Sequence, residues 1–173
     1  MKKRKILDLT YVAMGAAIMA TCSFIAIPGT VPVTMQTFAV LLVSTVLGLK
    51  RGIISVAVYL LLGATGLPVF SNFSGGLGHL LGTSGGYLFG FFATSLTLGL
   101  LMKTKIPIWL SMAFGVAADY VCGVLWYVVM FSSVENIIGI LSISVFPFVP
   151  FEIVKIAAAY LTAKSIKDSA VIK

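Results

Sequence analysis

Six apolar stretches, residues 8–27, 34–49, 52–66, 86–102, 107–131 and 147–166, make up most of this chain. Crossing about 30 Å of hydrocarbon takes roughly 20 predominantly apolar residues in a helix, which satisfies its backbone groups internally. The stretches meet or approach that length, and short polar or Pro/Gly breaks separate them. A composition of 60% hydrophobic and 10% charged residues, with mean hydropathy +1.12, lies far outside the soluble range. The pattern predicts an all-α membrane protein, six transmembrane helices in one compact bundle. No repeat, low-complexity tract or boundary interrupts residues 1–173, which read as a single domain.

The cations test that reading. Lys2, Lys3, Arg4 and Lys5 precede the first span, Lys50 and Arg51 join the second to the third, Lys103 and Lys105 join the fourth to the fifth, and Lys164, Lys167 and Lys173 end the chain. With six spans every one of these falls on one side, which the positive-inside rule makes the cytoplasm, so both termini are expected there. The basic residues, and with them most of the net charge of +7, read as topology anchors rather than as a nucleic-acid or lipid-signalling patch, and no nucleic-acid partner is implied. The basic start followed by an apolar run resembles a secretory signal, but it has no small-x-small cleavage site before Pro28 and is read as retained. Cys22 and Cys122 stand alone in apolar runs and read as packing residues.

Two connections on the other side differ in kind. "IPGTVPVT" (Ile27 to Thr34) is short and proline-braced; "GLPVFSNFSGGLGHLLGTSGG" (Gly66 to Gly86) is long, glycine-rich and still largely apolar. A segment of that composition leaves backbone groups unpaired if it faces lipid, so it is expected to fold back over the bundle as a lid.

Ionisable groups at membrane depth cost about 2.5–3.5 kcal/mol each on insertion scales and are functional candidates by default. They are Asp119, Glu152 and Lys155. Glu152 and Lys155, three residues apart on one helix face, either neutralise each other or complete themselves with a ligand. Pro147 and Pro150 put them in the first turns of the last span, close to the glycine-rich loop. Asp119 either pairs with Lys155 or lines the same cavity; Trp126 and Tyr127 are interfacial aromatics or pocket walls. His79, the one histidine, has no second ligand at metal spacing and reads as a loop residue, so no metal is expected. The glycine-rich stretch lacks the Gly-Lys-Ser/Thr ending of a phosphate loop. Gly82, Gly86 and Gly90, and the pairs Ala13/Ala17 and Ala16/Ala20, form small-residue faces of the kind that let helices approach closely, with packing inside the bundle or docking of another membrane protein as the two uses.

"VPVTMQTFAVLL" (Val31 to Leu42), "YLLLGATGLPVF" (Tyr59 to Phe70), "GTSGGYLFGF" (Gly82 to Phe91) and "PFVPFEIVK" (Pro147 to Lys155) together resemble the ordered motifs of BioY, the biotin-binding S component of energy-coupling-factor (ECF) transporters. The resemblance implies a vitamin-capture subunit in the plasma membrane that is not itself an enzyme. It also implies biotin as ligand, no cofactor, and a transmembrane coupling protein (T component) with two ABC-type ATPases as partners. The pocket is implied to be capped by the loops between spans one and two and spans three and four. Lys155, Glu152, Asn72 and Tyr87 fall where the family places pocket residues, with Gln36, Gly75, Gly76 and Asp119 completing the implied set, and Ala13, Ala17 and Ala20 match its docking face. Glu152 stands where the family ending has aspartate and Phe151 where it has glycine. Lys155 is implied to neutralise the biotin carboxylate and the acidic residues to accept from the ureido N–H groups. A carrier for another anionic vitamin-like amphiphile, and an intramembrane enzyme using Glu152 or Asp119 as general base, are the alternatives.

Overall fold

A computed structural model describes residues 2–27, 32–131 and 145–169. Helix α1 (Lys2–Ser23) leads into a two-residue antiparallel ladder between β1 (Ala26–Ile27) and β2 (Val33–Thr34), followed by α2 (Gln36–Ala64). Then come a one-turn α3 (Leu77–Leu80), α4 (Gly85–Leu101), α5 (Ile108–Phe131) and α6 (Val149–Asp168). The ladder is the one feature of these elements that departs from an all-helical chain. Residues 28–31, within the proline-braced connection, and Lys173 lie outside the described residues.

Helix α2 is two spans rather than one. Gly48 adopts φ 77° and ψ 177°, a left-handed value that glycine reaches without a Cβ clash, and the chain reverses there. The reversal is proved by long-range pairs within the element: a Cβ on Gly52 would stand 3.0 Å from the Ser44 Cα, and Gln36 Nε2 donates to the Tyr59 hydroxyl at 2.5 Å. In a straight helix those last two residues would be about 34 Å apart at 1.5 Å per residue. Residues 36–47 and 49–64 are therefore antiparallel arms, as expected from the two stretches at 34–49 and 52–66. With α1, α4, α5 and α6 they give six helical rods.

The arms sit at the centre. Helix α1 lies across both, with Val12, Ala16 and Met19 buried at i, i+4 and i+7 and Gly15 pressed against Ser55 and Val43. Helix α4 packs on α5 through its small-residue face: Gly86 meets Trp126 and the Cys122 carbonyl, and Gly90 meets Asp119. That face therefore serves packing inside the bundle. Outward positions of α5 such as Val121, Leu125 and Val129 are exposed and apolar, as a lipid-facing surface requires.

The ends of the bundle are chemically distinct. Arg51 pairs with Asp8 and lies over the Tyr11 ring, 5.2 Å from its centroid, and Leu49 packs on Gly99, so the starts and turns carrying the cations meet at one end. At the opposite end residues 65–84 fold back onto the helices. Phe70 is fully buried between Tyr59 and Gly63, the Val69 carbonyl accepts from Ser23 Oγ (2.7 Å) and Tyr59 Oη (3.1 Å), and Trp126 Nε1 donates to the Gly82 carbonyl at 3.0 Å. The loop is thus pinned to α1, α2 and α5.

Candidate functional site

The three charges expected at membrane depth converge. Pro150 in the first turn of α6 starts that helix just before Glu152, and the i,i+3 spacing turns Glu152 and Lys155 to the same inner face. Lys155 Nζ donates to Glu152 Oε1 at 2.6 Å, with both side chains under 10% exposed. Asp119 comes from the middle of α5, held in place by Gly90 of α4, where any larger residue would strike its carboxylate. All three line one cavity of about 50 Å³ beneath the folded-back loop.

The hydrogen bonds of this cavity are incomplete. Glu152 Oε2, Asp119 Oδ1 and the Tyr120 hydroxyl are buried and make no hydrogen bond among the described residues. A buried polar atom without a partner costs about 1–3 kcal/mol, more when charged, and three at one place make a floor built to receive hydrogen bonds. Two carboxylates face one ammonium, so acceptor capacity is in excess.

The remaining wall combines polar and aromatic groups. Gln36 is held by Tyr59 and by Thr34, whose hydroxyl lies 3.0 Å from Gln36 Oε1. Tyr87 lines the cavity and meets Tyr120 edge-on, ring centroids 6.1 Å apart. Sequence reasoning missed the linings supplied by Ser71, Ser84 and Phe148, which only the loop fold and the α6 start bring inward. His79, read as a loop residue, also lines it: its ring stacks on Phe70 at 5.3 Å and Nδ1 lies 3.0 Å from Ser74 Oγ. Burial lowers its pKa below the ordinary histidine value.

Gln36, Tyr87, Asp119, Glu152 and Lys155 are thus brought together. Asn72 is not: it sits exposed in the loop in a left-handed conformation, φ 57° and ψ 34°. Gly75 and Gly76 do not line the cavity: the Gly76 N–H donates to the Gly63 carbonyl at 2.7 Å and Gly75 rests against the Leu67 carbonyl. On α1, Ala13 and Ala17 are exposed while Ala20 is half-buried against the core.

Residues 1–171 match the BioY family profile. The chain belongs to the BioY family. Among its BioY relatives are "Biotin transporter BioY" of Thermotoga maritima, 42% identical over 87% of this chain and 90% of that protein, and "Probable biotin transporter BioY" of Pyrococcus horikoshii, 35% identical over 94% and 97%. "Biotin transporter BioY2" of Lactococcus lactis is 39% identical over 90% of this chain and 87% of that one. A crystal structure of the S-component for biotin from an ECF-type ABC transporter superposes with TM-score 0.81 at 26% identity, covering 97% of this chain and 94% of that one. The BioY fold, with its six helical rods, is therefore shared along almost the whole length.

Proposed function

We propose that this chain is the biotin-capturing subunit of an ECF-type uptake transporter, not an enzyme, and that the cavity between α2, α4, α5 and α6 is its biotin site. The observation that carries this reading is the surplus of unpartnered acceptors on the cavity floor, Asp119 Oδ1 and Glu152 Oε2, beside the Lys155 ammonium. A ureido ring presents two N–H donors and one carbonyl acceptor, which matches two carboxylate oxygens and a lysine or tyrosine donor.

The charge balance favours a ring-first orientation. A ligand carboxylate driven to the floor would meet two acids and an ammonium already held by Glu152, whereas a neutral ureido ring completes both acids. The valerate chain then runs toward the loops, and Lys155 donates to the ureido carbonyl instead of neutralising the carboxylate. The cavity of about 50 Å³ is small beside ordinary ligand pockets of roughly 300–1,000 Å³. Entry therefore requires the loop at 65–84 to lift, which is the sense in which it is a lid; in that motion Asn72, Gly75 and Gly76 close on the ligand.

The same reading puts the cation-bearing end and both termini in the cytoplasm of a plasma-membrane protein. It makes the exposed Ala13 and Ala17 face of α1 the docking surface for a T component that works with two ABC-type ATPases. No cofactor is needed for capture. The direct test is mass spectrometry of small molecules released on denaturing chain purified from cells grown with biotin. Stoichiometric biotin is expected, and release of a different anionic amphiphile would overturn the ligand. Ala17→Trp should abolish co-purification of the coupling subunits while leaving biotin bound.

A further inference from the structure

The basic end of the bundle carries a second cavity, remote from the biotin site and unused by it. It encloses about 230 Å³ between the first arm of α2, the start of α5 and the last turns of α6. Tyr160, Ala163, Lys164 and Lys167 line it from α6, spaced i, i+3, i+4 and i+7, which is one helical stripe. Deep within it lies Thr45, 1% exposed, whose hydroxyl is buried and makes no hydrogen bond among the described residues. Ala163, 1% exposed, and Ile108 complete an apolar wall.

We propose that this cavity binds one anionic phospholipid at the basic membrane interface, with its phosphate at the lysines and a glycerol-ester carbonyl at Thr45. The gradient from apolar floor to cationic mouth is that of a lipid rather than of a protein segment. Thr45 lies three residues before the Gly48 turn, so it sits about one helical turn, about 5 Å, below the level of the charged residues. Ester carbonyls lie below phosphates by a similar step, and an ester oxygen is an acceptor that a lone hydroxyl needs. Lys164 and Lys167 form no ion pair among the described residues, and both are exposed where a headgroup would lie. Asp168 also lines the mouth and subtracts one charge, which leaves the mouth net positive through Lys164 and Lys167.

Native mass spectrometry of the full chain, released from detergent after incubation with phosphatidylglycerol or phosphatidylcholine of identical acyl chains, tests this. Wild type should retain phosphatidylglycerol about tenfold better, since each lysine at a membrane surface favours an anionic lipid several-fold. Lys164→Gln with Lys167→Gln should erase the preference. Thr45→Val, which keeps the volume and removes an unsatisfied hydroxyl, should lower retention of both lipids several-fold while leaving their ratio intact, a signature that charge alone does not give. Equal retention of the two lipids by wild type, a preference that survives loss of both lysines, or displacement of phosphatidylglycerol by inorganic phosphate would overturn the proposal. Retention unaffected by Thr45→Val would overturn the placement of the ester.

Discussion

Lys155 Nζ lies 2.6 Å from Glu152 Oε1, while the second oxygen of the same carboxylate has no partner among the described residues. The pair is thus satisfied in charge but unsatisfied in hydrogen bonding, a state that costs stability in the empty protein and is relieved by a donor from outside.

Removing one partner and removing both should have different consequences. Lys155→Met leaves Glu152 as an uncompensated buried carboxylate and should cost about 3–5 kcal/mol, read as a lower thermal midpoint in detergent. Combining it with Glu152→Leu removes both members of the pair and should recover part of that loss, Asp119 being the acid left without the ammonium, yet biotin binding should fall by at least a hundredfold. A doubly substituted protein that still binds biotin as wild type does would show that the pair serves the fold alone.

Asp119→Asn tests the second acceptor. The amide keeps the shape that Gly90 packs against but replaces one acceptor oxygen by an NH2 donor, so stability should change little while affinity drops about tenfold, the equivalent of one lost hydrogen bond. Equilibrium binding with labelled biotin checks it, and undiminished affinity would remove Asp119 from the ligand contacts.

Gly90→Ala acts one step further out. The new methyl meets the Asp119 carboxylate and backbone, which must shift the α4–α5 contact, with a cost of about 1–3 kcal/mol and a fall in affinity because Asp119 moves. Thermal melting and binding should decline together, and a neutral outcome would mean that α4 and α5 separate freely at this level.

The loop should respond to pH through His79. Its folded-state pKa is lowered by burial, so the unfolded or lifted loop binds the proton more readily than the closed one. Closure is then fully stable above the ordinary histidine value of about 6.5 and weakens as pH falls through and below it. His79 is only half-buried, so the effect is modest. Proteolytic nicking of residues 65–84 in the ligand-free protein should rise between pH 7.5 and pH 5.5, and His79→Gln should flatten that dependence. An unchanged pH profile in the His79→Gln protein would assign the effect to another group.

The spans and their arrangement were legible because the bilayer imposes them: roughly 20-residue apolar runs and cations confined to alternate joints leave little choice of topology. Even the double nature of α2 was readable, since Lys50 and Arg51 mark a joint that a 29-residue helix would otherwise hide. Boundaries shifted where nothing stops a helix. The basic start of α1 extends it to Lys2, and α6 runs to Asp168 because no glycine or proline intervenes.

The convergence of Asp119 with Glu152 and Lys155 was open in the sequence, and membrane depth was its signal. The contribution of the loop was not legible. That Phe70 is driven into the gap over Gly63 while Asn72 turns outward depends on packing between distant segments, not on local propensity. For the same reason His79, about 40 residues from Asp119 and more than 70 from Glu152 and Lys155, gave no sign of reaching their cavity.

The buried charges hold either the ureido ring or the carboxylate of biotin, and the two ends can be told apart. Isothermal titration of the purified, detergent-solubilised chain with biotin, its carboxamide and an N-methylated ureido analogue measures this directly. Tight binding of biotin, nearly retained by the carboxamide and lost by at least a hundredfold with the blocked ureido nitrogen, is the predicted result. A ligand-free, folded protein that gives no heat with biotin would contradict the biotin assignment, and loss confined to the carboxamide would put the carboxylate at Lys155 and reverse the orientation.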